Sequence, residues 1–207
     1  MKSLHTFIII LMISCFSSSH LHAKFYEGGE NLESGDMILS VGGSFDSSAI
    51  GASFKTAYGI NDTMSAGINV STVLLLNTVS LEYRAKLAGN QTHHFNAKFE
   101  VIYNQLIWTD SLHQLSIEPS LQYLFKAHNR IGLGLDIGFF TPLAHNHSDE
   151  DKILSYMLTG LANLNIRLWN QNSLHLAFGP ALDLRQNTKE TDPMHMFFGK
   201  VMLSILF

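Results

Sequence analysis

Between Asp36 and Phe207 the chain alternates apolar residues with polar or small ones, and turn-forming residues interrupt the alternation at intervals. Ten such stretches are legible, at 36–45, 49–60, 63–72, 78–88, 93–104, 112–125, 130–141, 153–169, 173–185 and 195–207. A period of two predicts β-strands, and no stretch carries the three-to-four spacing of a helical stripe. The expected class is all-β, with neighbouring strands antiparallel because their connections are short.

Where the charges fall sharpens the picture. In the ninth stretch Leu174, Leu176, Phe178, Pro180, Leu182 and Leu184 share one face, opposite Ser173, His175, Ala177, Gly179, Ala181, Asp183 and Arg185. The fourth sets Val79, Leu81, Tyr83, Ala85 and Leu87 against Ser80, Glu82, Arg84 and Lys86. Every charge inside a stretch lies on the polar face: Lys55, Arg84, Lys86, Lys98, Arg167, Arg185 and Lys200, with Glu82, Glu100, Glu118, Asp136 and Asp183. A soluble β-sandwich would also segregate its faces, so two further features decide. The stretches are long enough to cross a bilayer at a tilt, which takes about 9–11 residues. Their apolar faces also carry Phe45, Tyr58, Phe95, Tyr103, Phe125, Phe139 and Tyr156 near the ends, as an aromatic girdle would.

The connections alternate in length. The even ones (61–62, 89–92, 126–129, 170–172) are short, and the odd ones (73–77, 105–111, 143–152, 186–194) are longer, apart from 46–48. An even strand count leaves both termini at the short-turn end. The last stretch places Phe197, Gly199, Val201, Leu203, Ile205 and the final residue Phe207 at every second position. That ending resembles the C-terminal assembly signal of bacterial outer-membrane β-barrels, and the pattern over 36–207 resembles a small single-chain member of that class. The resemblance implies an up-and-down transmembrane barrel of about ten strands in a Gram-negative outer membrane. An eight-stranded solution, with the first hairpin outside the barrel, is the alternative. It also implies partners: membrane lipid and lipopolysaccharide, with periplasmic chaperones and the barrel-assembly machinery during biogenesis, reading Phe197, Val201, Leu203, Ile205 and Phe207.

Composition agrees. Of 207 residues 46% are hydrophobic and 14% charged, against about 25% charged in soluble domains. The net charge of −4 excludes a broad nucleic-acid surface, and one cysteine excludes a disulfide framework. Residues 1–23 have a basic start at Lys2, an apolar run from Phe7 to Phe16 and a polar stretch before Ala23, the form of a secretory signal peptide. Lipidation at Cys15 is the competing reading, weakened by Met12 and Ile13 where such a site wants Leu and a small residue. Residues 24–35, rich in Glu and Gly, read as a flexible periplasmic lead-in to the barrel at 36–207.

The inward charges are nearly balanced, so Glu82, Arg84, Lys86, Lys98, Glu100 and Glu118 are expected to pair across strands. With Ile102, Leu124, Phe140, Met157 and Phe198 also pointing inward, the lumen should be closed or very narrow, which favours a structural or surface-interaction role. A small porin-like channel for ions or solutes is the alternative, and a lipid-modifying hydrolase a more distant one. Gly132, Gly134 and Gly138 do not have the spacing of a phosphate loop and instead relieve crowding inside the wall. His145 and His147, beside Asp149, Glu150 and Asp151, are weak metal candidates on an acidic outer loop, where a solvated surface looks the same. No cofactor, and no catalytic residue, is expected.

Overall fold

The computed structural model describes residues 24–45, 50–73, 76–106, 113–146, 156–169, 171–184 and 195–207. The proposed signal peptide and Cys15 lie outside these. Ten antiparallel strands form one closed barrel: β1 (Met37–Phe45), β2 (Ile50–Asn61), β3 (Met64–Val73), β4 (Leu76–Gly89), β5 (His93–Leu106), β6 (His113–His128), β7 (Ile131–His145), β8 (Met157–Arg167), β9 (Asn172–Asp183) and β10 (His195–Leu206). Each strand pairs with its sequence neighbours, and β1 closes the ring on β10 over the register Ile38↔Leu206 to Phe45↔Gly199. The first hairpin is therefore part of the barrel, which disposes of the eight-stranded alternative.

Closure follows from the alternation. A strand with one apolar and one polar face, placed in a sheet without edges, offers a uniform outside and a uniform inside. The outside is exposed and apolar: Phe54, Ile68, Leu81, Phe99, Leu121, Ile137 and Phe178 all face outward. The inside carries Ser40, Lys55, Ser65, Glu82, Arg84, Asn96, Gln122, Asp136, Asn163 and His175, all buried. Ile102, Leu124, Phe140 and Met157 are buried on the same side, and Phe198 is half-buried. Ile102, Phe140 and Met157 pack together as an apolar cluster toward the long-connection end.

Three prolines sit in the wall, Pro119, Pro142 and Pro180, and at Pro119 and Pro180 one ladder is interrupted. Pro119 pairs with Phe99 on β5, but on its β7 side the register passes from Ile117↔Thr141 directly to Ser120↔Gly138. Pro180 pairs with Phe197 on β10, while on its β8 side the register passes from Thr159↔Ala181 to Ala162↔Phe178. A residue without an N–H can keep one neighbour and must release a bond to the other.

Strand limits agree with the sequence to within a few residues, with one notable difference. The pairing of β3 with β4 continues to Val73↔Leu76, so that connection holds two residues (74–75), not the five expected. It joins 46–49 as a second short odd connection.

The larger correction concerns residues 24–35. The sequence reads them as a flexible periplasmic lead-in; instead residues 25–32 lie inside the barrel, while Glu33, Ser34 and Gly35 are exposed. Phe25, Tyr26, Glu27, Gly28, Gly29, Glu30, Asn31 and Leu32 are all buried, with Tyr26–Gly28 forming a single 3-10 turn. Gly29 continues the turn with φ at 106°, where only glycine is unstrained, and its N–H donates to the Tyr26 carbonyl. Tyr26 and Leu32 pack with Ile38, Ala57 and Leu206 to close the end of the lumen where both termini lie.

Candidate functional site: the occupied lumen

The lumen is built from wall charges that meet charges on the N-terminal segment. Glu82 on β4 is its hub. Its carboxylate accepts from Lys55 Nζ at 2.7 Å, from Arg84 Nη2 at 3.0 Å and from the Tyr26 hydroxyl at 2.8 Å. The Arg84 guanidinium lies 4.0 Å from the centre of the Tyr26 ring and also donates to the Tyr26 carbonyl; Lys55 Nζ is 4.9 Å from the same ring. An aromatic face between two cations, with its hydroxyl on a carboxylate, uses both the ring quadrupole and the polar tip of tyrosine.

Glu27 is held by three strands at once. Its Oε2 lies 3.2 Å from Lys55 Nζ on β2 and 3.4 Å from Lys200 Nζ on β10, and its Oε1 accepts from the Ser40 hydroxyl on β1 at 3.1 Å. Glu30 pairs with Lys126 on β6 and accepts from the Phe25 N–H at 2.8 Å. Asn96 on β5 donates to the Gly29 carbonyl, and Ser173 on β9 to the Lys24 carbonyl at 3.0 Å. At the mouth Lys24 bridges Glu33 (3.0 Å) and Asp36 (2.8 Å), clipping the segment to the start of β1.

The inward glycines make room for this segment. A Cβ on Gly132 would lie 3.0 Å from the Phe25 ring, and one on Gly134 would lie 3.3 Å from the Gly28 carbonyl oxygen. A Cβ on Gly59 would fall 1.8 Å from the Glu33 carbonyl oxygen. Gly138 serves a different purpose, leaving space for the Glu118 carboxylate and Thr159.

The twelve sequence-proposed lumen charges divide as follows. Lys55, Glu82, Arg84 and Lys200 meet the segment, as above. Lys98 pairs with Glu100 at 3.6 Å and with Asp136 at 3.5 Å, Asp136 also accepting from Gln122 at 2.7 Å. Glu118 accepts from Thr159 at 3.4 Å. Lys86 stands at the mouth with Glu30, Asp62 and His94 around a pocket of about 320 Å³. Arg167 lies near the same end, its guanidinium 5.6 Å from the Phe25 ring centre. Asp183 is in β9, but its side chain and all of Arg185 lie outside the described residues. The expected cross-strand ladder is thus partly replaced by contacts within a strand (Glu82 with Arg84, Lys98 with Glu100) and by contacts to the segment. Side chains two apart on one strand share a face, and the segment approaches nearer than the opposite wall.

Sequence reasoning missed Phe25, Tyr26, Glu27, Glu30, Ser40 and Lys126 as members of this site. Of the weak metal candidates, His145 ends β7 with its side chain outside the described residues, and His147 lies outside them altogether. Among the described residues no group of His, Cys, Asp and Glu is placed to hold a metal ion.

Burial pushes the Tyr26 hydroxyl up to about 12, with the Glu82 charge acting the same way. Burial also acts to raise Glu27, but Lys55 and Lys200 outweigh it and hold the carboxyl well below its usual range; Glu82 opposes them and His175 adds to them slightly. A docked carboxyl with a lowered pKa stabilises docking above its ordinary value of 4.5 and loses that contribution as pH falls further. A docked phenol with a raised pKa stabilises docking below its ordinary value of 10 and loses it as pH rises toward 12. A spin label at Ser34→Cys, in a Cys15→Ser background, should therefore report constant immobilisation between about pH 5 and pH 9.5, with loosening beyond both limits.

Inside lies a polar cavity of about 70 Å³ lined by Glu27, Lys55, Lys98, Asp136, His175 and Lys200, among others. It has room for a few waters.

No family model and no curated relative matches the chain. Solved structures do. The NanC porin superposes with a TM-score of 0.50 at 10% identity, covering 81% of this chain and 98% of that one. The KdgM porin superposes with a TM-score of 0.50 at 8% identity, covering 82% and 99%. At such identities the likeness is one of fold. The chain has an outer-membrane β-barrel fold, similar to that of small porins.

Proposed function

We propose that this outer-membrane barrel is a sealed one, serving the envelope as a structural and surface-presenting element rather than as an open pore or an enzyme. The observation that carries the reading is the burial of residues 25–32 inside the lumen, where Glu27 and Tyr26 are bound by the wall. The Ile102, Phe140 and Met157 cluster narrows the other half. On this reading the partners of the chain are the lipid and lipopolysaccharide around it and, during biogenesis, the chaperones and assembly machinery that engage the strand ending at Phe207.

A porin-like channel is the second reading. One observation favours it: part of the seal is a segment outside the strands, held largely by ion pairs, rather than side chains of the wall itself. Ion flux through the reconstituted full-length chain separates the two. The sealed reading expects none, and a chain that passes ions would replace it with the channel.

A further inference from the structure

We propose that Lys55, Lys200 and Ser40 form a binding site for a small carboxylate solute, which Glu27 occupies in the resting chain. The three donors come from β2, β10 and β1, and they take both oxygens of the carboxylate: Oε2 by the two ammonium groups at 3.2 and 3.4 Å, Oε1 by the hydroxyl at 3.1 Å. Charge-assisted bonds to both oxygens are the usual means of carboxylate recognition. All three belong to the wall, whereas the carboxylate belongs to the segment, so the cradle is built by strand pairing whether or not the segment is docked.

The charges around it point the same way. Lys55 keeps a second carboxylate in Glu82, but Glu27 is the one ion-pair partner of Lys200 among the described residues. Removing the Glu27 carboxylate therefore leaves Lys200, a half-buried cation, without its acid partner, beside a vacancy shaped for an anion. The cavity of about 70 Å³ adjoins this point and is lined by both lysines, Glu27 and His175. It limits what a carboxylate may carry to a group of a few heavy atoms, as in acetate or a short hydroxy acid. The inference goes beyond sealing: the seal is read by current, and the cradle by its response to carboxylate.

The test uses full-length Glu27→Ala in detergent, with sodium acetate as probe and sodium chloride at equal ionic strength as reference. Acetate should raise the thermal midpoint of the variant saturably, by about 2–4 °C, over the chloride value. It should leave the wild type unchanged, because Glu27 fills the site, and adding Lys200→Met to the variant should abolish the effect. Equal responses to acetate and chloride, or an acetate effect that survives Lys200→Met, would overturn the proposal. If Glu27→Ala does not fold in chloride, its refolding yield in acetate becomes the readout: recovery supports the site and no recovery overturns it.

Discussion

Replacing Glu82 by alanine should destabilise the barrel by about 3–5 kcal/mol, the range seen when one partner of a buried ion pair is removed. Its carboxylate serves Lys55, Arg84 and Tyr26 together, and all four side chains are buried. Alanine leaves Lys55 with Glu27 alone, takes the carboxylate from Arg84, and leaves the Tyr26 hydroxyl with the longer 3.4 Å contact to the Ser65 hydroxyl, so the loss spreads into the segment as well as the wall. Urea unfolding of the lipid-reconstituted protein measures this. Glu82→Gln keeps an acceptor for Tyr26 and should lose less. A change under about 1 kcal/mol for the alanine variant would mean that water solvates these charges, as it does exposed pairs, and that the lumen is open.

Leu121→Arg should cost about 2–4 kcal/mol through a different mechanism, the placement of a cation in lipid near the bilayer midplane. Leu121 lies near the middle of β6, between Ala97 on β5 and Ile137 on β7, and is 61% exposed on the outer face. In water such a residue would tolerate arginine; in hydrocarbon it cannot. The expected result is a sharp fall in folded protein recovered from outer membranes, seen as loss of the heat-modifiable band on gels. Normal amounts of folded variant would mean that this face does not meet lipid.

The wall was legible because a strand has a period of two and a closed barrel leaves no edge strand to break the pattern. Leu174 to Leu184, and Glu82, Arg84 and Lys86 opposite Leu81 and Tyr83, announce their sides in the sequence itself. The inward glycines at 132 and 134 were legible as relief of crowding, but not what crowds them. The N-terminal segment was not legible. It has no period, it is short, and Glu27, Gly28, Gly29 and Glu30 are residues that a linker also uses. Its docking depends on side chains scattered over β1, β2, β4, β5, β6, β9 and β10 that only the closed barrel brings together. One signal was available: the inward wall charges hold a surplus of cations, seven against five, and the acids of the segment are the nearest in sequence to offset it. Lys126, assigned to a turn, was hidden because β6 runs on to His128.

The claim that the chain seals its own lumen is tested most directly by single-channel recording of the full-length protein in a planar lipid bilayer, with folding confirmed on the same sample. The account predicts an inserted, folded barrel that passes no current at moderate voltage. Discrete, reproducible current steps would contradict it, showing a continuous water path past Tyr26 and Glu27.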